Sequence, residues 1–146
     1  MQAPLHFLVG LLIGKTSLPF LLAFVLVFLS HFLVDAFAKI TYHVPDPQPE
    51  DRFWVGYHII VYLLTIILFF VHIEYFWMFF ASILVDIIDW GILRGILKKP
   101  ARIHPIIDKI RESVPFKYLP DLNYQKWAII PEIILFAAGY TLFLLF

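Results

Sequence analysis

The sequence predicts an all-α integral membrane protein, with four transmembrane helices, a short N-terminal helix and an interfacial helix. Three observations carry that reading: 62% of the 146 residues are hydrophobic, only 15% are charged, and uncharged runs of spanning length recur along the chain. A soluble domain carries about 25% charged residues, and one of about 150 residues still leaves roughly 30% of its unfolded surface exposed. So much apolar surface cannot be hidden from water at this size, and lipid is the solvent that accommodates it. Length allows a single domain, 1–146. The 11 basic and 11 acidic residues cancel, so no net field attracts nucleic acid. The lack of cysteine excludes disulfides, thiolate metal sites and thiol nucleophiles.

Residues 4–13 form an apolar run of ten, too short to cross a hydrocarbon layer of about 30 Å, and predict a short helix that is re-entrant or partly inserted. Lys15 follows this run instead of preceding it, and no small-residue cleavage site is evident, so a secretory leader is not expected. Residues 16–34 carry no formal charge over 19 positions, and the apolar pattern continues to about Tyr42, giving the first span. Residues 53–73 are 21 uncharged positions and give the second. The third, 76–97, is apolar except for Asp86, Asp89 and Arg94, and the fourth, 127–146, except for Glu132. Loop 45–52 sets Asp46, Glu50 and Asp51 among Pro45, Pro47 and Pro49, which reads as a stiff, solvated linker. In 103–114, Ile103, Ile106, Ile107 and Ile110 recur at helical spacing against Lys109, Arg111 and Glu112, as in a helix lying on a membrane surface.

Arg94, Lys98, Lys99, Arg102, Lys109, Arg111, Lys117 and Lys126 all fall in or beside the connection between the last two spans. The positive-inside rule makes that connection cytoplasmic. Counting back places the Glu74 turn outside, loop 45–52 inside and the N-terminus inside an inner or plasma membrane.

A carboxylate at a helix centre costs about 2.5–3.5 kcal/mol on insertion scales, so each needs a partner or a wet cavity. His31 and Asp35 stand four residues apart on the first span, and Asp86 and Asp89 three apart on the third. On α-helices each pair projects from one face. Measured from Tyr42 and Leu97, His31 and Asp86 both lie 11 residues from the cytoplasmic end, so the two clamps share a depth. His6 and His58 are candidates to complete the set. Neutral imidazoles with ionised carboxylates suit a divalent metal ion, Zn, Mn or Fe, and the cation relieves the repulsion among the acids. Two rival readings use the same residues: Asp35 or Asp89 pairs with Lys39 or Arg94 in a non-catalytic membrane subunit, or the polar groups form the path of a proton-coupled or metal-ion transporter.

A metal at this depth suits hydrolysis of a lipid or lipid-linked ester or phosphoester at the cytoplasmic leaflet. Asp89 or Glu132 is then expected as proton acceptor and Arg94 as anion holder. Arg102 and His104 stand at the same entrance, His104 also reading as a loop cap or a ligand. His43 is expected at a helix end, where a cation favours the dipole. Gly10 and Gly14, like Gly91 and Gly95, have the spacing of close helix packing. Membrane lipid is the expected partner, with a homo-oligomer or a membrane partner protein left open.

The stretch Phe28-Leu29-Ser30-His31-Phe32-Leu33-Val34-Asp35-Ala36-Phe37, running on to Val44-Pro45, resembles the Ser-His-x-x-x-Asp helix of the LexA-regulated membrane-bound metal-dependent hydrolase family. His6 with Gly10 is similar to that family's opening, in which an early His precedes a small-residue helix. The resemblance covers about 50 residues and implies a divalent metal held by membrane-embedded His and Asp. The family's Pro-Asp-x-Asp-His and His-Arg-Gly-x-Thr-His-Ser motifs do not occur here. Asp86-Ile87-Ile88-Asp89 is a distant analogue of the first, later in the chain.

Overall fold

The computed structural model describes residues 3–44 and 47–146; Pro45 and Asp46 of the acidic loop lie outside the described residues. All regular structure among the described residues is helical: α1 (Ala3–Gly14), α2 (Phe20–Ala36), α3 (Arg52–Val71), α4 (Phe76–Asp86), α5 (His104–Arg111) and α6 (Ile129–Leu145). A 3-10 turn, Phe37–Ile40, extends α2, and a π-helical stretch, Ile87–Ile96, extends α4. Four continuous helices result, Phe20–Ile40, Arg52–Val71, Ile73–Ile96 and Lys126–Leu145, each long and apolar enough to cross a membrane. They coincide with the four runs read from the sequence. Their outer faces leave Leu21, Ile60, Phe70 and Ile134 exposed, the reverse of what water selects and an arrangement that lipid tolerates.

The short helix α1 is the centre of the bundle. It packs against α2, α3, α4 and α6, and Pro4, Leu5, His6, Phe7, Leu8, Gly10 and Leu11 are buried. A helix apolar on every side can satisfy itself only when surrounded. Phe7, Leu8 and Leu11 meet Leu68 and Phe143, while Ala23 and Val27 of α2 meet Met78 and Ala81 of α4. Gly10 permits the approach, because a Cβ there would stand 3.1 Å from the Met78 carbonyl oxygen and 3.4 Å from Val27 Cγ1. At Gly14 a Cβ would fall 2.8 Å from the Tyr75 ring. Gly91 meets nothing within 4 Å, so the packing expected there is not formed.

The two ends of the bundle are built differently. At one, Lys15 Nζ donates to the Phe143 carbonyl at 2.5 Å, and His72 Nε2 lies 3.1 Å from the Tyr140 hydroxyl. At the other, the N-terminus of α1 meets the C-terminal halves of α2 and α4, and α5 closes over them by packing on α2 with Ile107 fully buried. His43 follows this end of α2, where burial pushes its pKa down to about 3. It is therefore a neutral ring and not the dipole-stabilising cation expected from its position.

Candidate metal centre

His31 and Asp35 project from one face of α2 as their spacing requires, and both are buried. His31 Nδ1 lies 2.7 Å from the Ser82 carbonyl oxygen of α4. A carbonyl only accepts, so Nδ1 carries the proton, and the neutral ring turns the Nε2 lone pair the other way. That lone pair faces Asp35 Oδ2 at 3.3 Å and Asp86 Oδ1 at 3.8 Å. Nε2 is buried and hydrogen-bonds to none of the described residues. A lone pair set against two carboxylate oxygens is repulsive unless a positive charge stands between them.

His104, at the start of α5, repeats the device. Its Nδ1 lies 2.8 Å from Asp89 Oδ2, and the Trp90 indole, which can only donate, gives its N–H to Nε2 at 3.1 Å. Nδ1 therefore carries a proton, and Nε2, which accepts the Trp90 N–H, lies 3.3 Å from Asp86 Oδ1 and 3.8 Å from Asp35 Oδ2. Burial opposes the charged form of this imidazole, but hydrogen bonds to Asp86 and Asp89 outweigh it and raise its pKa above the ordinary value. His6 of α1 completes the group. Its Nε2 is 3.1 Å from Asp35 Oδ1, and its ring stacks on His31 with centroids 4.1 Å apart. Its buried Nδ1 has no partner among the described residues.

Two atoms bound to one ion at about 2.1 Å lie at most about 4.2 Å apart. Two ligand sets come near that limit, His6 with His31 and Asp35, and His31 with Asp86 and His104; within each, all ligand atoms lie within 4.8 Å of one another. These groups could hold a metal ion. The hydrogen bonds on His31 Nδ1 and His104 Nδ1 are of the kind that fixes the tautomer of a metal-binding imidazole.

Asp89 is placed differently. Its oxygens accept the backbone N–H groups of Arg102 at 3.0 Å, Ile103 at 2.8 Å and His104 at 2.7 Å, besides the His104 ring. It anchors α5 and orients His104 instead of joining Asp86 in a clamp. The π-helical stretch is the reason: beginning directly after Asp86 and taking more than four residues per turn, it turns Asp89 away from the face an α-helix would give it. Lys98, at φ 53°, then reverses the chain so that the return segment reaches Asp89. Three acids at helix-centre cost would amount to roughly 8–10 kcal/mol, comparable to the stability of a whole domain. The donors on Asp89 offset part of it.

The other sequence candidates lie apart. His58 Nδ1 is 2.8 Å from the Trp54 carbonyl oxygen, and its ring packs among Trp54, Tyr57 and Tyr62 on α3. Glu132 accepts the hydroxyl of Tyr57 in an apolar cleft lined also by Leu5, Val61 and Phe136. Arg94 lies over the Trp90 ring at 4.4 Å, at the rim of the centre. Lys39 turns to the Phe116 carbonyl at 3.4 Å, so its pairing with Asp35 is not formed, and Arg94 does not pair with Asp89. His104 is the member that spacing alone did not select, since only the folded return segment carries it to Asp86. No protein-family model, curated protein or solved structure matches the chain.

Proposed function

We propose that the chain is a membrane-embedded, metal-dependent hydrolase acting on a lipid or lipid-linked ester or phosphoester at the cytoplasmic leaflet; the resemblance of its His31–Asp35 helix implies the metal-dependent hydrolysis, and the depth of the site implies the lipid substrate. The observation that carries this reading is the orientation of His31. Its Nδ1–H is consumed by the Ser82 carbonyl and its Nε2 faces Asp35 and Asp86, which is the electrostatics of a cation site. A divalent ion supplies Lewis-acid activation of water and of a phosphoryl or acyl oxygen. His6, His31, Asp35, Asp86 and His104 would hold it. Asp86, with 37% of its side chain exposed, is the ligand open to the surroundings and marks the way in. Arg94, seated on Trp90 beside it, is positioned to hold an anionic head group. Asp89 and Glu132 are held by donors away from the centre, so proton transfer falls to the Asp86 oxygen other than the Oδ1 that faces His31 and His104.

In the reaction the oxygen of water bonds to phosphorus or to the acyl carbon, and the bond to the alcohol oxygen breaks. One water proton passes to that departing oxygen. Beyond the centre the interior is filled by Phe7, Leu11, Val27, Met78 and Ala81, which favours a one-sided pocket over a transport path. The test is purified protein in lipid nanodiscs, loaded with Mn2+ or Zn2+ and given phospholipid. Release of phosphate, phosphoalcohol or fatty acid is expected, falling by at least 100-fold in Asp86→Ala and on chelation. Metal-loaded protein that releases none of these overturns the reading.

A further inference from the structure

Building on the metal-centre reading above, we propose that the centre takes two divalent ions bridged by Asp35, not one. The stacking of His6 on His31 points to this. Metal binding by an imidazole runs in the ring plane along the nitrogen lone pair. The two rings are 4.1 Å apart and inclined by only 17°, and both turn Nε2 to the same carboxylate, His6 to Oδ1 at 3.1 Å and His31 to Oδ2 at 3.3 Å. Over the roughly 3 Å from ring centre to ion, so small a tilt changes the spacing of the planes by only about 1 Å. The two lone pairs therefore address separate positions whose spacing is set by the 4.1 Å between the rings, close to the roughly 3.5–4 Å spacing of two-metal sites. Asp35 offers one oxygen to each position, as a bridging carboxylate does.

The two positions differ in their ligands. The one at His31 has Asp35 Oδ2 at 3.3 Å, and His31 forms a further ligand set with Asp86 and His104. The one at His6 has His6 Nε2 and Asp35 Oδ1 among the described residues, which leaves places for water and substrate and makes it the weaker site. A pair of ions at this spacing clamps the attacking and leaving oxygens of an in-line displacement at phosphorus, so the substrate class it selects is a phosphoester over a carboxylic ester.

The experiment is elemental analysis of the full chain after Mn2+ loading and desalting, with electron paramagnetic resonance on the same samples. Two Mn2+ per chain with an exchange-coupled signal are expected in the wild type. One Mn2+ with an uncoupled six-line signal is expected in His6→Ala. The wild-type spectrum decides the matter even where the variant does not fold. One ion per chain at saturation, or two ions without coupling, overturns the bridged pair while leaving a mononuclear hydrolase intact. No bound metal at all overturns both.

Discussion

Asp35 and Glu132 are carboxylates buried to nearly the same degree, 5% and 8% exposed, in helices of the same bundle. Their surroundings differ in chemistry. Glu132 faces the hydroxyl of Tyr57 within an apolar cleft, and a phenol has a proton to give. Asp35 faces His31 and, at longer range, His104, whose Nδ1 protons go to the Ser82 carbonyl and to Asp89. Both rings turn Nε2 toward Asp35, and His6 Nε2 meets its other oxygen at 3.1 Å. Burial of an acid is therefore no sign of chemistry by itself; the number of metal-ligating groups gathered around it is. The Tyr57–Glu132 contact ties α3 to α6, whereas the groups around Asp35 come from α1, α2, α4 and α5 and converge on a common space.

The comparison breaks most directly by removing each acid in turn. In Asp35→Ala, elemental analysis after Mn2+ or Zn2+ loading should find the stoichiometric metal gone, since both ligand sets lose an oxygen they share or adjoin. Glu132→Gln keeps an acceptor for Tyr57 and should keep the full metal content. Equal metal in the two variants would erase the distinction drawn between the acids. A smaller effect is expected at Asp89, which touches the centre only through His104. Asp89→Asn removes the charge behind that imidazole and weakens three backbone contacts, and groups of this kind cost about 10–100-fold in metal affinity. Isothermal titration of the apo-protein measures it. An unchanged affinity would show that His104 needs no orienting partner.

Much of this arrangement was legible in the residues. The four spans follow from runs of apolar residues, because a bilayer imposes length and composition so strongly that little else decides them. The coincidence of His31 with Asp86 was legible too, since both lie on regular helix at a depth that counting from the span ends recovers. Asp89 was not, because its position depends on the change from α to π geometry after Asp86, and 3.6-residue periodicity carries no mark of that change. Nor was the central placement of α1. A ten-residue apolar segment reads as peripheral by length, and only the close contact of Gly10 with Met78 explains why it sits inside. His104 enters through a return loop whose course is set by the Asp89 hydrogen bonds, a tertiary cause with no local signature. His58 shows the converse: its depth is suitable, but its face of α3 turns it to Trp54 and Tyr62.

Asp51 sharpens the comparison from the exposed side, with the smallest effect. It accepts the Phe53 N–H at 2.8 Å at the start of α3, and its other oxygen meets Lys126 Nζ at 2.7 Å before α6. The Lys126 ammonium above all, helped by the Phe53 N–H, holds this carboxyl below its ordinary value against the opposing effect of burial. A carboxyl whose pKa is lower folded than unfolded adds stability that is present above the unfolded value of about 3.8 and is lost as pH falls through the lowered folded value. Asp51→Asn keeps an N-cap acceptor but not the charge. Thermal unfolding in detergent should therefore show wild type slightly more stable than the variant at pH 6, with the gap closing as the pH is brought below about 3.8 and vanishing in high salt. A gap that stays constant across that range would mean the cap and not the ion pair joins α3 to α6. Metal content should be the same in both proteins throughout the neutral range, because Asp51 is solvated and already has its donors, which sets it on the Glu132 side of the division.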